Sequence, residues 1–346
     1  MATARFVRTV LIFLVVILVL GLTGAATAIY LNAPPAAIPE GGASFHIESG
    51  ETLYGIASRL QQKGLIRSSR FLVFLSKILD TEGSFQAGPY KIPPSSTTAE
   101  IHTMLASGER ARKKVTIPEG WTVSKIAGLL DEKGVTTKQE FLEVSRSPEL
   151  LKELGVRGES FEGYLFPDTY YFPEDYSAES VTRTMVENFY RVVQDIVPNH
   201  RQWGPEEFHR EVILASIVER EYRIPDEAPL IASVFKNRMK YQIGLESCAT
   251  LEYIITEIQR KPHPEYLTLE DKSIDSPYNT YKWYGLPPGP ISNPGRIALD
   301  ATFHSAETEY YYFVLKDPAT GEHHFSKSLD EHNEAKLIFL KGVSNP

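Results

Sequence analysis

The distribution of apolar and polar positions divides the chain into a leading apolar run, a duplicated amphipathic unit and a longer mixed region. The uncharged run extends from Thr9 to Pro39. Its strongly apolar part, Val10 to Leu31, is about 22 residues, or about 33 Å of helix, enough to span a bilayer. A segment rich in Ala, Pro and Gly, residues 32–42, reads as a linker. Beyond it, Ile47–Leu72 and Ile117–Leu142 align without gaps at an offset of 70 residues. Gly50/Gly120, Thr52/Thr122, Ile56/Ile126, Ala57/Ala127, Leu60/Leu130, Lys63/Lys133, Gly64/Gly134 and Phe71/Phe141 are identical across the two copies, the mark of one unit present twice. Each copy predicts a short strand ending in Gly, then a helix capped by Thr52 or Thr122 with apolar residues at i, i+4 and i+8. Gly64 or Gly134 stops that helix, and a second starts near Ser68 or Thr137. In the first copy a strand over 88–92 and a helix over 98–106 follow.

The mixed region opens with the aromatic run 161–172, too broken by Gly and Pro to be one regular element. It fits either the wall of a sugar groove or a core strand and turn. An amphipathic helix over 178–196 comes next. Val212 to Val218 then carry no charge and, with Phe208 one turn earlier, predict a helix apolar on nearly every side, hence buried. Asp226 is the expected N-cap of a helix over 227–241, with Leu230, Val234 and Met239 on its apolar face. A third helix is expected over 250–258. The loops 276–281 and 284–291 are rigid with proline and rich in Tyr and backbone carbonyls, which suits a shaped polar ligand. Asn293 is the expected cap of a further helix, with Pro294 at its first position. Tyr310–Leu315 and Glu322–Phe325 predict a hairpin around Thr320-Gly321. The fold class this implies is α+β.

Length and composition add limits. A chain of 346 residues has room for two domains. The net charge is −8, and no compact Lys/Arg stripe offers a nucleic-acid surface. The densest basic run, Arg110, Arg112, Lys113 and Lys114, fits a solvated inter-domain segment. Cys248 is the single cysteine, which excludes an intrachain disulfide and any cysteine-based metal site. His323, His324 and His332 lack metal-ligand spacing. Arg5 and Arg8 before the apolar run place the N-terminus in the cytoplasm and the rest outside it. The run is long for a signal peptide, which favours a retained anchor, although Ala26-Thr27-Ala28 resembles a cleavage site.

Chemistry is expected at Glu219. At about 100° per residue it lies above Val212, Ala215 and Ser216, small or apolar neighbours that leave space and little water. Pro225 disfavours helix at Ile224, so Glu219 falls near a helix C-terminus. The negative end of the helix dipole and apolar burial both disfavour its ionised form. A carboxyl group that keeps its proton near neutral pH is what a general acid needs. The same spacing also fits an ordinary i,i+4 surface pair with Arg223. Glu221, about 200° away around the helix, reads as a solvated residue.

The stretch "SGETLYGIASRL" in its β-α-α-β setting resembles the LysM peptidoglycan-binding module; the alternative is a spacer. The motifs "FEGYLFPDTYYF", "LASIVERE", "IASVFKNRM", "SPYNTY", "GLPPGPISNPG" and "YYYFV…HHFSKSLDEHN", in this order, resemble the endolytic murein transglycosylases of the YceG-like type. That resemblance implies a single-pass anchor in the inner membrane, a LysM-like module and a catalytic domain without metal or cofactor. It places the catalytic acid at the Glu of "SIVE", here Glu219. It implies cleavage of the β-1,4 bond between N-acetylmuramic acid and N-acetylglucosamine within glycan strands, with a 1,6-anhydro ring at the new end. Ser216, Glu246, Ser247, Thr250, Tyr278, Asn279, Thr280, Tyr281, Leu286, Pro287, Pro288, Gly289, Asn293 and Phe325 are the expected substrate-binding residues. Peptidoglycan strands, the membrane and cell-wall synthases are the implied partners. Residues 1–9 are then a cytoplasmic tail, 10–31 the anchor, 32–42 the linker, 43–110 the LysM-like module and 111–346 the catalytic domain. Within the last, 115–175 form the second repeat-like unit and 204–346 the catalytic core. The chain departs from the family's LQ(S/T)DPT motif, reading Leu245-Glu246-Ser247-Cys248-Ala249-Thr250. Cys248 lacks a partner His and reads as a small buried residue. A hydrolase, with Glu221, Glu246 or Glu252 as a second carboxylate, and a non-enzymatic glycan-binding anchor are the competing readings.

Overall fold

The computed structural model of the chain describes residues 2–35, 38–39, 41–108, 112–173 and 176–339. They fall into two compact units. One runs to Arg112 and takes in Pro173; the other comprises Lys113–Phe172 and the chain from Tyr176 onward. Arg110 of the basic run lies outside the described residues.

The first unit begins with helix α1, Ala2–Asn32. Its stretch Leu11–Asn32 is 22 residues long and apolar enough to cross a membrane. Its large side chains from Leu11 to Tyr30 are exposed. The rest of the unit holds the end of α1 and the residues just past it. Arg67 donates to Ala33 O and Pro34 O at 3.1 and 2.9 Å and stacks its guanidinium on Tyr30, 4.6 Å from the ring centre. Thr98 Oγ1 donates to Leu31 O, and Asn32 Oδ1 accepts from Ala99 N. The expected linker over 32–42 is therefore tied down at its start. Ile38 within it packs on the core, while 36, 37 and 40 lie outside the described residues.

Strand β1, Ala43–Ile47, pairs antiparallel with β2, Gly88–Ile92, with Phe45 opposite Tyr90. Between them lie α2, Leu53–Gln62, and α3, Ser69–Ile78, capped by Thr52 and Ser68. Helix α4, Thr98–Ser107, starts in a capping box of Thr97 and Glu100. Phe45, Ile56, Leu60, Leu72, Tyr90 and Ile101 fill the core. β1 ends three residues before Gly50; that glycine makes the following turn at φ +78°.

The second unit repeats the pattern. Strand β3, Arg112–Thr116, pairs with β4, Thr169–Pro173. Helices α5, Val123–Glu132, and α6, Lys138–Val144, are capped by Thr122 and Thr137. This copy then adds α7, Pro148–Glu153. Phe161, Tyr164, Leu165, Phe166, Tyr170 and Phe172 are buried, so most of the aromatic run is core. Helix α8, Ala178–Ile196, packs over it.

Helix α9, Pro205–Glu221, lies between two cores. Phe208, Val212 and Ala215 point into the core shared with α5 and α8. Leu214, Ile217 and Val218 point into a second core built with α10, Ala228–Lys240. That double burial is why the helix is apolar all round. Asp226 does not cap α10. Pro225–Glu227 form a 3-10 turn that leads straight into it, and Glu227 takes the cap position with its carboxylate turned to His323. Helix α11, Cys248–Tyr253, starts two residues before the expected Thr250 and runs on as a π turn over Ile254–Ile258. Helix α12, Arg296–Phe303, is entered through Gly295. Asn293 is not its cap, because the Asn293 side chain is fully engaged elsewhere. Strands β5, Tyr312–Asp317, and β6, Glu322–Ser326, form the expected hairpin, with Phe313 opposite Phe325 and Gly321 in the turn. Helix α13, Leu329–Phe339, closes the described chain.

Candidate active site

The last turn of α9 carries Glu219 to a place where three segments meet. Its Oε2 accepts a hydrogen bond from Gly295 N at 2.9 Å. The turn after β3 packs on its stem: a Cβ on Gly120 would stand 3.5 Å from Glu219 Cγ. Arg220, next on the helix, donates to Glu252 of α11 at 2.8 Å and to Gly120 O at 3.4 Å. Burial pushes the Glu219 carboxyl up to about 8 from the usual 4.5, against the pull of the Gly295 N–H and Arg220, with the Glu119 charge adding to the rise. At neutral pH the group holds its proton. Arg223 makes no ion pair with Glu219 among the described residues. Its side chain instead lies against Gly321.

Glu221 is not the solvated residue its helical position suggested. Its carboxyl is enclosed by the segment leading into α11, accepts a 2.5 Å bond from Ser247 Oγ and is raised by burial. The side of α9 that seemed free is covered by residues 247–252.

The expected substrate-binding residues separate into two groups. Ser216, Ser247, Thr250, Asn279, Thr280, Pro287, Gly289 and Asn293 are buried, and the polar ones among them brace the loops. Ser216 Oγ accepts from Ile291 N at 3.0 Å and its carbonyl accepts from Ser292 Oγ. Thr280 Oγ1 accepts from Ser247 N and meets Thr250 Oγ1. Asn279 bonds to Lys272 O, Ile274 O and Tyr281 N. Phe325 is half-buried and belongs to the second core. Glu246 and Pro288 are exposed, and Tyr278, Tyr281 and Leu286 are half-exposed. Glu246 pairs with Arg238 at 3.1 Å. Tyr278, Pro288 and Gly289 line a cavity of about 520 Å³ together with Arg146, Glu162 and Tyr253. Cys248 is exposed rather than buried, with its Sγ 3.2 Å from Tyr281 Oη: as the first residue of α11 it faces outward while Ala249, Thr250 and Leu251 turn in.

Glu162 and Glu119 are the carboxylates the patterns did not single out. Both oxygens of Glu162 accept from Val123 N at 3.1 Å, and Oε1 also accepts from Asn293 Nδ2 at 2.9 Å. Asn293 in turn donates to Trp121 O and accepts from Leu165 N. Backbone bonds Gly120 N to Asn293 O and Asn293 N to Trp121 O, each 2.9 Å, complete the clamp. It fixes the turn after β3 to the segment that presents Gly295 N–H to Glu219. Burial raises Glu162 to about 8. Its one sequence signal was a lone charge inside the apolar run Phe161–Phe166.

Comparison with known proteins places this arrangement in a group. The profile of the YceG-like family matches residues 45–337. An endolytic murein transglycosylase of Bacillus subtilis is 32% identical over 313 residues, covering 86% of this chain and 84% of that protein. A protein of the same name from Streptococcus pneumoniae D39 is 27% identical over 315 residues; the match takes in 83% of this chain and 56% of that longer relative. The crystal structure of a YceG-like protein from Listeria monocytogenes superposes with a TM-score of 0.56 at 29% identity, covering 86% of this chain and 99% of that one. A profile that runs from β1 into α13, with Glu219 and its clamp inside it, makes this chain a member of the YceG-like family.

Proposed function

We propose that the chain is an endolytic murein transglycosylase, a lyase that cuts the bond between N-acetylmuramic acid and N-acetylglucosamine inside glycan strands. The observation that carries this is the buried Glu219 carboxyl, protonated at neutral pH and hydrogen-bonded by Gly295 N–H. Glu219 donates its proton to the glycosidic oxygen as the bond to C1 breaks. The carboxylate left behind takes a proton from the C6 hydroxyl of the muramyl residue, whose oxygen bonds to C1 and closes the 1,6-anhydro ring. The Gly295 N–H favours the carboxylate form and so supports the state between the two steps. One group works as acid and then as base, where a glycoside hydrolase uses a pair. Tyr278 and Pro288, which line the 520 Å³ cavity, are the members of the expected binding set to which this reading gives the sugar contact. Digestion of purified sacculi is expected to release fragments ending in 1,6-anhydro-N-acetylmuramic acid. Ends that accept borohydride in their place would mean hydrolysis and end this reading.

The same proposal makes α1 a retained, N-in anchor in the cytoplasmic membrane, with the chain beyond it outside, and makes residues 43–110 a LysM-like glycan holder. The full chain is expected to stay with membranes through an alkaline wash. A chain starting at Ala43 is expected to leave them and still sediment with insoluble peptidoglycan. A mature N-terminus near Ile29 would refute the anchor, and a folded, non-sedimenting Ala43 chain would refute the glycan-holding role.

A further inference from the structure

The two copies of the repeat have parted company at one turn. In the first copy a Cβ on Gly50 would meet nothing within 4 Å; in the second, a Cβ on Gly120 would meet Glu219 Cγ and Arg220 Cδ at 3.5 Å. Glu119, the residue before it, reaches across Gly295, and its Oε1 stands 1.9 Å from where a Cβ of Gly295 would be. With Glu119 in this position, a Cβ at 295 would have to push its carboxyl end aside. Two carboxyl groups therefore bracket one glycine: Glu219 holds its N–H, and Glu119 covers its α-carbon. The backbone bonds between 120–121 and 293 keep this bracket closed.

We propose that Glu119 is a second functional carboxylate of the site, an electrostatic positioning residue that keeps the proton on Glu219 until the glycosidic oxygen takes it. This rests on the reading of Glu219 as the proton donor. Glu119 is exposed, so water weakens its field, but it makes no ion pair among the described residues and no cation cancels its charge. The other charges around Glu219 are largely matched. Arg220 on α9 is bound to Glu252 of α11, and His263 lies 3.4 Å from the same Glu252. Arg296, at the start of α12, faces Asp195 at 3.6 Å. Tyr222 ends α9 as a neutral phenol raised by burial and by both carboxyls, and Arg223 lies along Gly321. Removing the Glu119 charge therefore removes the nearby like charge on Glu219. An ionised Glu219 becomes less costly, and its proton is lost at lower pH.

The test compares full-length wild type, Glu119→Gln and Glu119→Asp. It reads release of anhydro-ended fragments against pH, with the titration of the Glu219 carboxyl followed by carbon-13 NMR. Glu119→Gln is expected to move the alkaline limb of activity down by about half to one pH unit, a loss of roughly three- to tenfold above the limb and little change below it. Glu119→Asp, which keeps the charge, is expected to hold the limb near its original place. The NMR titration is expected to shift with the kinetic limb. A folded Glu119→Gln enzyme whose activity falls equally at every pH, with the Glu219 titration unmoved, overturns the proposal and leaves Glu119 a packing residue. Should wild type form no anhydro ends, the assigned reaction fails, and the NMR titration still decides the role of Glu119.

Discussion

Replacing Glu219 with glutamine is expected to lower glycan cleavage by about 10²–10⁴-fold while the protein stays folded. Glutamine keeps the size of the side chain and can still accept from Gly295 N through its amide oxygen. It can neither deliver a proton to the glycosidic oxygen nor take one from the C6 hydroxyl, so both half-steps fail together. Because the native group is neutral at pH 7, the amide brings no new burial cost, and the urea midpoint is expected to move little. Glu207→Gln is the suitable control, since Glu207 is exposed on the first turn of the same helix. Glu221→Gln is a poorer one, because the Glu221 carboxyl holds Ser247 Oγ. Initial rates on purified peptidoglycan decide the matter: a folded Glu219→Gln enzyme near full activity would remove Glu219 from the mechanism.

Truncating Glu162 is expected to act on stability. In Glu162→Ala the buried Val123 N–H loses its acceptor and the Asn293 amide loses one of its acceptors. Each such loss costs about 1–3 kcal/mol, so the variant should unfold about 2–4 kcal/mol more easily in urea. Glu162→Gln separates charge from shape. The folded carboxyl titrates at about 8 against a usual 4.5, so between those values the folded state holds a proton that the unfolded chain releases. The sign follows from linkage: this contribution is fully present below 4.5 and is lost as pH rises through 8. Glutamine has no proton to lose, so its stability curve should fall less steeply across that window. Parallel curves for wild type and Glu162→Gln would show that Glu162 is not buried as a neutral acid.

Local structure was readable where one residue decides it. Thr52, Ser68, Thr122 and Thr137 accept from the first turns of their helices as the pattern required, and Gly64 and Gly134 sit at positive φ just past the helix ends. The buried helix of Glu219 was readable because seven uncharged residues in a row have no polar face to offer water. Errors arose where a partner distant in sequence claimed the side chain. Asn293 resembles a cap, yet Glu162 and Trp121 take both protons of its amide and Leu165 N bonds to its Oδ1. Asp226 resembles a cap, yet Pro225 opens a 3-10 turn that carries the chain past it. Glu221 looked solvated because periodicity describes one helix and says nothing of the segment that covers it. Glu119 and Glu162 sit far along the chain from Glu219, and no spacing rule connects positions brought together only by the fold.

The seating of α9 between two cores bears on how activity is lost. Elements at the rim of a protein can open alone, at a fraction of the free energy of full unfolding. An element gripped on both sides opens only when both grips fail. The proton donor is carried on such an element, and its hydrogen-bond donor Gly295 leads into α12, which also reaches into both cores through Leu299 on one side and Ala298 on the other. Heat or denaturant is thus expected to unseat the helix that carries the acid only together with both cores, so that the second unit behaves as a fuse rather than a dimmer.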